Sequence, residues 1–213
     1  VSAKRIFIMP VTISEGHFTE QTIPHRLGLA AAGELEYERI QQRDRRTLIY
    51  CHPIGTHASM TAVLLARARA IVEQHPFPRA PKPAETALFI AGHGTEKNSN
   101  SRKAIEAQVA AIRARGKYAD VQPVFMEEAP FIADCFTATK APHIVMVPFF
   151  IADGLHTVED IPVLLGEPAA RVKKRLAAGH PTWRNPTGRK GKLVWYTEAI
   201  GNEPGLVDVI LER

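Results

Sequence analysis

Short apolar runs alternate with stretches of helical periodicity along the second half of the chain. Buried strands are predicted for the apolar runs Thr86–Ala91, Val121–Met126, His143–Phe150 and Lys192–Tyr196. Apolar residues at helical spacing predict helices over Ser101–Arg115, Ala129–Thr139, Val158–Leu165 and Pro204–Arg213, the first with Ser101 as its N-cap. Because strands alternate with helices through short loops, the pattern predicts βαβ units and a parallel sheet with helices on both faces.

The chain also repeats itself. The segment Met9–Gly28, here the Met9 segment, returns at Val147–Gly166, here the Val147 segment. Eight residues recur 138 positions later, because Pro10, Ile13, Gly16, Thr19, Ile23, Pro24, Leu27 and Gly28 become Pro148, Ile151, Gly154, Thr157, Ile161, Pro162, Leu165 and Gly166. Leu48–Arg67 matches Val194–Arg213 at an offset of 146 residues. These matches predict an internal duplication, with the additional residues inserted as a loop within His180–Gly191.

A proline-rich stretch separates the two halves of this repeat. Four prolines in residues 76–85 exclude a regular helix or central strand, which predicts a semi-rigid linker. Residues 1–75 then form the second half of a first lobe, with strands at Arg5–Met9 and Thr47–Tyr50. Residues 86–213 form a complete second lobe. The first lobe is expected to be truncated and non-catalytic, because it has no counterpart of the sequence AGHGT at Ala91–Thr95.

Composition adds the class of protein and its compartment. Of the 213 residues, 45% are hydrophobic and 23% charged, as in ordinary globular proteins. No run approaches the roughly 18–20 apolar residues of a membrane span, and no signal peptide is predicted. Cys51 and Cys135 lie far apart in the sequence, which argues against a disulfide scaffold, a zinc ribbon or an iron–sulfur site. A cytoplasmic protein without membrane contact is therefore expected.

The charge indicates an anionic partner. The formal net charge is +5 at pH 7 and the sequence pI is about 9.4. The basic residues are scattered and only 7% of the residues are aromatic, so the chain lacks the stacking platform of a nucleic-acid-binding protein. An acidic small molecule is the expected partner.

Two histidines and a glutamate follow predicted strands. His93 stands between Gly92 and Gly94, which leave room for backbone or ligand atoms beside the ring. His156 follows the third strand through the sequence IADG, and Glu127 ends the second. Because parallel strands end at one edge of a sheet, these side chains are expected in one cleft. Two imidazoles and one carboxylate can bind cobalt, nickel, iron or zinc and leave coordination positions open.

Other residues near this cleft have structural interpretations. Glu128 is expected at a helix start, and Glu159 and Asp160 are expected to cap a helix or pair with its dipole. The Gly-His-Gly turn is also compatible with a plain loop histidine. A histidine nucleophile for phosphoryl transfer is disfavoured, because Ala91 and Gly92 supply no arginine to bind phosphate.

Three motifs together resemble one family. The sequences FIAGHGT, VFMEEAP and VPFFIADGLHTVEDIP occur in the order and spacing of the sirohydrochlorin cobaltochelatases of the CbiX type, class II chelatases. The resemblance is good over Thr86–Gly166 and looser elsewhere. It implies two Rossmann-like lobes with parallel sheets flanked by helices, and a tetrapyrrole bound between them. The protein would be a monomer with two lobes or a homodimer.

The resemblance also implies an activity and residue roles. His93 and His156 would hold the metal, Glu127 would assist catalysis, and Gly92, Gly94 and Gly154 would lie against the ligand. The reaction, that of a lyase, inserts Co2+, with Fe2+ or Ni2+ as alternatives, into sirohydrochlorin in cobalamin and porphyrin biosynthesis. It releases two protons and needs no nucleotide. A non-catalytic tetrapyrrole- or metal-binding protein of chelatase ancestry is the alternative.

The chain departs from the family pattern in the Met9 segment. The complete set of motifs is in the trailing lobe, and Phe18 stands where the Val147 segment has His156, with His17 one position early. If the turn is strand-like, this slip of one position points the His17 ring to the opposite side. The Met9 segment is therefore expected to form a non-catalytic wall of the cleft.

Overall fold

A computed structural model describes residues 3–31, 33–95 and 99–213. Its strands form two sheets, in the orders β1-β3-β2 and β5-β4-β6-β8-β7. The strands are β1 (Arg5–Ile8), β2 (Ile40–Arg43), β3 (Arg46–Tyr50), β4 (Thr86–Gly92), β5 (Asp120–Phe125), β6 (His143–Pro148), β7 (Thr187–Arg189) and β8 (Lys192–Tyr196). The α-helices are α1 (Ile23–Arg26), α2 (Met60–Gln74), α3 (Asn100–Arg113), α4 (Cys135–Ala138), α5 (Ile161–Leu164), α6 (Ala169–Ala177) and α7 (Gly205–Glu212).

The larger sheet confirms the α/β class. Strands β5, β4, β6 and β8 are parallel, and β7 is antiparallel to β8. All seven residues of β4 are buried, as expected for a central strand with helices on both faces. One face packs Leu88, Ile90 and Val145 against helices, and the other packs Phe89 and Met146 beneath α4 and α5.

Helix α2 belongs to the core of the larger sheet. Met60, Val63 and Leu64 are almost completely buried, in one cluster with Leu88 and Trp195. Helices α3 and α7 contact α2 and pack with it on the same face of the larger sheet. The division into residues 1–75, a linker at 76–85 and residues 86–213 stays a prediction. Helix α2 precedes the linker but packs with residues that follow it, so side chains from both sides of the linker share one core.

The three strands of the small sheet repeat three strands of the large one. Strands β1, β3 and β2 pair in the same sense as β6, β8 and β7, parallel and then antiparallel. Within the described residues, the β1 edge has no neighbours equivalent to β4 and β5.

The hairpin register corrects the position of the insertion. Arg43 pairs with Arg46 as Arg189 pairs with Lys192, so the offset of 146 residues already holds at β7. The additional residues therefore lie between Gly166 and Thr187, and the part of the predicted insertion that falls on β7 and its turn, residues 187–191, is wrong. A short turn after a strand gives no sequence signal that distinguishes a hairpin from an inserted loop.

Buried contacts show why the repeated positions are kept. The Thr19 hydroxyl bonds the backbone of Gly16, as the Thr157 hydroxyl bonds that of Gly154. The hydroxyl groups of two buried tyrosines donate to these turns, Tyr50 to the Thr19 carbonyl at 2.6 Å and Tyr196 to the Thr157 carbonyl at 2.7 Å. A tyrosine at the end of β3 or β8 thus anchors the helical turn of each copy.

Several predicted boundaries are wrong. Helix α3 begins at Asn100, after Ser99, so Ser101 is not its N-cap. The predicted helix Ala129–Thr139 is shortened to α4 and a preceding 3-10 turn, because Phe131 forms an extended bridge with Phe125. Strands β2 and β7 and helix α6 were not predicted.

Two further findings concern membrane-spanning helices and the cysteines. Among the described residues, no helix is both long and apolar enough to cross a membrane. Cys51 and Cys135 are both free and buried, and burial raises the pKa of the Cys135 thiol to about 12. That thiol stays protonated near neutral pH and is a poor metal ligand.

Candidate metal-binding site at the carboxyl ends of β4 and β6

His93 leaves the carboxyl end of β4 in a tight turn. A Cβ at Gly92 would collide with the end of the Ile105 side chain, so this glycine allows α3 to pack against the strand. Gly94 has a φ of +70°, and a Cβ there would lie 2.7 Å from the Glu128 side chain. Both glycines are thus required by the turn that presents His93, and their predicted contact with a ligand stays a prediction.

His156 begins a π-helical turn, His156–Asp160, which leads into α5. The backbone N–H of Gly154 donates to the Thr157 hydroxyl at 3.0 Å and closes the start of the turn. No described atom lies within 4 Å of a Cβ built at Gly154, so the space beside this residue is open. The turn, held by Tyr196 from below, presents His156 at the same edge of the sheet as His93.

The two imidazole rings pack edge to face. Their ring centroids are 4.9 Å apart and their planes meet at 81°. The side chains of His93 and His156 are 38% and 49% exposed, so a solute can reach both rings. Phe150 lies against the His156 ring, with centroids 6.2 Å apart.

Hydrogen bonding decides which nitrogen of each ring is free. Nδ1 of His93 lies 2.8 Å from the carbonyl of Gly94, and Nδ1 of His156 lies 2.8 Å from Oδ2 of Asp160. Both partners accept hydrogen bonds, so each Nδ1 carries the proton. Nε2 of each ring then has a free lone pair, the form in which histidine binds metals.

Glu127 lies beside His93. Its Oε2 is 3.6 Å from Nδ1 of His93, and its side chain is 57% exposed. The described residues nevertheless hold no preassembled group of three His, Cys, Asp or Glu ligands. The structure thus brings both histidines together with one exposed carboxylate beside them, an open arrangement rather than a closed cage.

Glu128 has a different role from the one predicted. It does not start a helix, because its carboxylate accepts the backbone N–H of Thr95 at 3.2 Å and pairs with Arg102 at 2.8 Å. Hydrogen bonding to Glu128 raises the pKa of Arg102. The guanidinium also lies 4.3 Å from the centre of the Phe125 ring. Glu128 therefore ties the His93 turn to α3.

The three acidic residues near His156 each have a different partner. Asp160 stands at the N-cap position of α5, but its side chain makes no capping hydrogen bond there, and its carboxylate instead binds the His156 ring. Glu159 lies 3.8 Å from the ammonium of Lys173. Asp153 accepts the backbone N–H of Ala199 at 2.9 Å. The contact between Asp160 and His156 was not predicted, although the spacing of four residues is the sequence signal for it.

The Met9 segment forms the same turn without the same chemistry. Phe18–Thr22 is π-helical, and His17 has the helical φ and ψ that Leu155 has in the second copy. The prediction of a strand-like turn is therefore wrong, and one position of slip rotates a side chain by about 100°. Nδ1 of His17 lies 3.4 Å from the Thr22 hydroxyl, and Phe18 is 60% exposed.

Two cavities lie near these turns. One of about 220 Å³ is lined by Thr12, Phe18 and Thr95 and separates the Met9 segment from the His93 turn. A larger one, of about 810 Å³, is lined by Thr157, Arg175 and Tyr196, and neither His93 nor Glu127 lines it. Thr95 places the smaller cavity next to the His93 turn, but neither histidine of the pair lines either cavity.

Known proteins match both halves of the chain. The family model CbiX matches residues 1–71 and 87–213. A probable sirohydrochlorin cobaltochelatase of Halobacterium salinarum is 35% identical over 100% of this chain and 72% of its own length. A sirohydrochlorin cobaltochelatase of Methanopyrus kandleri is 27% identical over 60% of this chain and 93% of its own length.

Solved structures share the fold. A multi-domain protein of Deinococcus radiodurans with structural similarity to chelatases has a TM-score of 0.74 at 24% identity, and the match covers the whole of this chain but 41% of that one. CbiX of denitrifying bacteria, the terminal enzyme of sirohaem biosynthesis there, has a TM-score of 0.59 at 22% identity and is covered over 75% of its length. With the family model matched across both halves, the chain belongs to the CbiX family of metal chelatases.

Proposed function

We propose that this chain inserts a divalent metal, Co2+ in the first instance, into sirohydrochlorin. The observation that carries the proposal is the pair of imidazoles at the carboxyl edge of the larger sheet. Their ring centroids are 4.9 Å apart, and among the described residues the hydrogen bonds of both rings are made by Nδ1 and not by Nε2. Two relatives named as a probable sirohydrochlorin cobaltochelatase and a sirohydrochlorin cobaltochelatase support both the tetrapyrrole and the metal. The net charge of +5 suits a substrate that bears many carboxylates.

The site is suited to hand over a metal. Two Nε2 donors hold Co2+ and leave its other positions to water, and these are the positions that tetrapyrrole nitrogens take during insertion. Each metal that enters displaces two pyrrole protons. Glu127, exposed beside His93, is placed to accept a proton as the metal enters the ring. In this scheme residues 86–213 supply the chemistry and the Met9 segment supplies the facing wall. Gly92 and Gly94 shape the turn that presents His93, and Gly154 keeps the approach open.

The identity of the metal is the finer part of the proposal. Bacillus subtilis SirB, a structural neighbour of the fold, is described with Fe3+ in one structure and in complex with cobalt in another. Imidazole nitrogens bind Co2+, Fe2+ and Ni2+ alike, so these ligands do not select among them. Cobalt is proposed because the curated relatives carry that name.

A metal-insertion assay tests the proposal. Protein, sirohydrochlorin and Co2+ are mixed, and the change in absorbance on insertion is compared with buffer alone. Acceleration is expected. A spectral shift of sirohydrochlorin without insertion would instead favour the non-catalytic binding protein, and no acceleration at all would refute the proposed chelatase.

Three single variants locate the site. His93→Ala and His156→Ala should each lower the insertion rate by 10²-fold or more (order of magnitude), because each removes a metal ligand. His17→Ala is the control, since His17 is the counterpart of Leu155 in the first copy, and its rate should stay near that of the wild type. Equal damage from all three variants would show that the first copy also takes part.

A further inference from the structure

Asp160 is one of the residues that differ between the two copies of the repeat. The two copies share the residues that build the turn, but His156 corresponds to Phe18 and Asp160 corresponds to Thr22. In the second copy these two differing residues are hydrogen-bonded to each other at 2.8 Å. The scaffold is thus retained in both copies, while the histidine and its carboxylate partner are together confined to one.

The geometry of the turn makes this pair possible. His156 and Asp160 are four residues apart in helical backbone, a spacing that puts two side chains on the same face. An ionised carboxylate can only accept hydrogen bonds, so its contact with Nδ1 requires the proton to be on that nitrogen. In the neutral ring the lone pair is then on Nε2, which points away from Asp160.

Few other contacts could hold this ring. The His156 side chain is half exposed, and its described ring contacts are a T-shaped contact with His93 and a tilted contact with Phe150. Neither contact distinguishes Nδ1 from Nε2, because ring packing does not depend on which nitrogen bears the proton. The hydrogen bond to Asp160 does distinguish them.

Neighbouring acids are committed elsewhere. Glu159 lies near Lys173, Asp153 accepts a hydrogen bond from the backbone of Ala199, and Glu127 is beside His93. Asp160 is 42% exposed and its described side-chain partner is His156.

We propose that Asp160 is a positioning residue of the chelatase, one that fixes the tautomer and orientation of His156 so that Nε2 is presented to the incoming metal. The inference rests on the proposed function, because it assigns a role within the same site. Its negative charge also strengthens Nε2 as a donor. Carboxylate partners of this kind typically change metal affinity by about 10–100-fold.

The test is a Co2+ titration without tetrapyrrole, followed by the visible absorption of bound Co2+. Asp160→Asn should raise the Kd for Co2+ by about 10–100-fold, because an amide can either accept from Nδ1 or donate to it and so no longer selects one tautomer. In the insertion assay the same variant should raise the KM for Co2+ more than it lowers kcat. Asp160→Glu, which keeps the carboxylate, should recover part of the affinity.

Glu159→Gln is the matched control. It removes a carboxylate one position away in the same turn, so general loss of negative charge affects both variants alike. Its Kd for Co2+ should change by less than about 3-fold, on the order of a surface charge effect. Equal weakening by Glu159→Gln and Asp160→Asn, or wild-type affinity in Asp160→Asn with its Tm unchanged, would overturn the positioning role.

The outcomes separate this inference from the proposed function. If wild-type protein binds Co2+ and Asp160→Asn weakens that binding, but neither accelerates insertion, the chelatase proposal fails and the role of Asp160 in metal binding stands. If wild-type protein accelerates insertion and Asp160→Asn matches it in Kd and KM, the role of Asp160 fails alone.

Discussion

At the scale of single residues, the adjacent Glu127 and Glu128 differ in exposure and in their partners. Both follow β5, and the sequence offers two adjacent carboxylates without indicating which one serves the site. The Glu127 side chain is 57% exposed beside His93, whereas that of Glu128 is 18% exposed and bound to Arg102. A carboxylate that must accept a proton has to be reachable, so Glu127 is the candidate base and Glu128 is a structural tie.

Glu127→Gln should lower the rate of insertion by about 10²-fold, because general-base catalysis contributes on the order of 10²–10⁴-fold. Its Kd for Co2+ should change little, since both Nε2 donors remain. Glu128→Gln should instead reduce the free energy of unfolding by about 1–2 kcal/mol through the weakened contacts with Thr95 and Arg102. Initial rates and urea unfolding of the two variants distinguish these effects, and a wild-type rate in Glu127→Gln would exclude its role as the base.

At the scale of elements, the repeated π-helical turns depend on a buried tyrosine. Tyr50 and Tyr196 end equivalent strands and donate to equivalent carbonyls. Burial raises the pKa of the Tyr50 phenol to about 12, from an ordinary value of 10.0. Burial also raises the pKa of Tyr196 well above its ordinary value. The folded protein therefore holds these protons more tightly than the unfolded chain does.

The pH dependence of stability follows from that difference. The unfolded chain begins to lose its tyrosine protons near pH 10 while folded Tyr50 keeps its own to about pH 12, so this stabilisation is complete below pH 10 and is lost between those values. Tyr50→Phe should cost about 1 kcal/mol at pH 7 for the lost hydrogen bond, and its stability should fall less steeply above pH 10. Urea unfolding at pH 7, 9.5 and 11 checks this, and parallel curves for variant and wild type would contradict it. Tyr118→Phe is a control for the hydrogen bond at pH 7, because no hydrogen bond of its hydroxyl is found among the described residues. It is not a control for the slope above pH 10, since burial raises the pKa of Tyr118 as well.

The sequence predicted the elements better than their ends. All four strands predicted in the second half exist, because buried parallel strands are continuous apolar runs. The helix Ala129–Thr139 failed because Phe131 is held in an extended bridge to Phe125, a contact distant from the local pattern. The edge strand β7 was missed because a three-residue strand lacks periodicity.

At the scale of the whole molecule, the two halves share a core through α2. Leu64 is completely buried against the larger sheet, although it belongs to the first 75 residues. Both tryptophans, Trp183 and Trp195, lie in the second half, so their fluorescence reports on that half alone.

Leu64→Ala should therefore destabilise the second half as well as the first. The cavity left in the core should cost about 2–5 kcal/mol, and the tryptophan and circular dichroism transitions should shift together. Leu35→Ala, at a side chain that is 68% exposed, should leave both transitions in place. A shift in circular dichroism with no shift in tryptophan fluorescence would show that the halves unfold independently.

The sequence by itself determined the duplication, the alternation of strands and helices, and the three motifs that identify the family, because these depend on local composition and spacing. Only the tertiary structure decided that α2 packs on the larger sheet, that the additional residues precede β7, and that His93 and His156 lie 4.9 Å apart. It also decided that Asp160 binds His156, since a capping carboxylate and a ring partner look alike in sequence. These outcomes depend on contacts between residues far apart in the chain, or on the π-helical turn that sets side-chain directions.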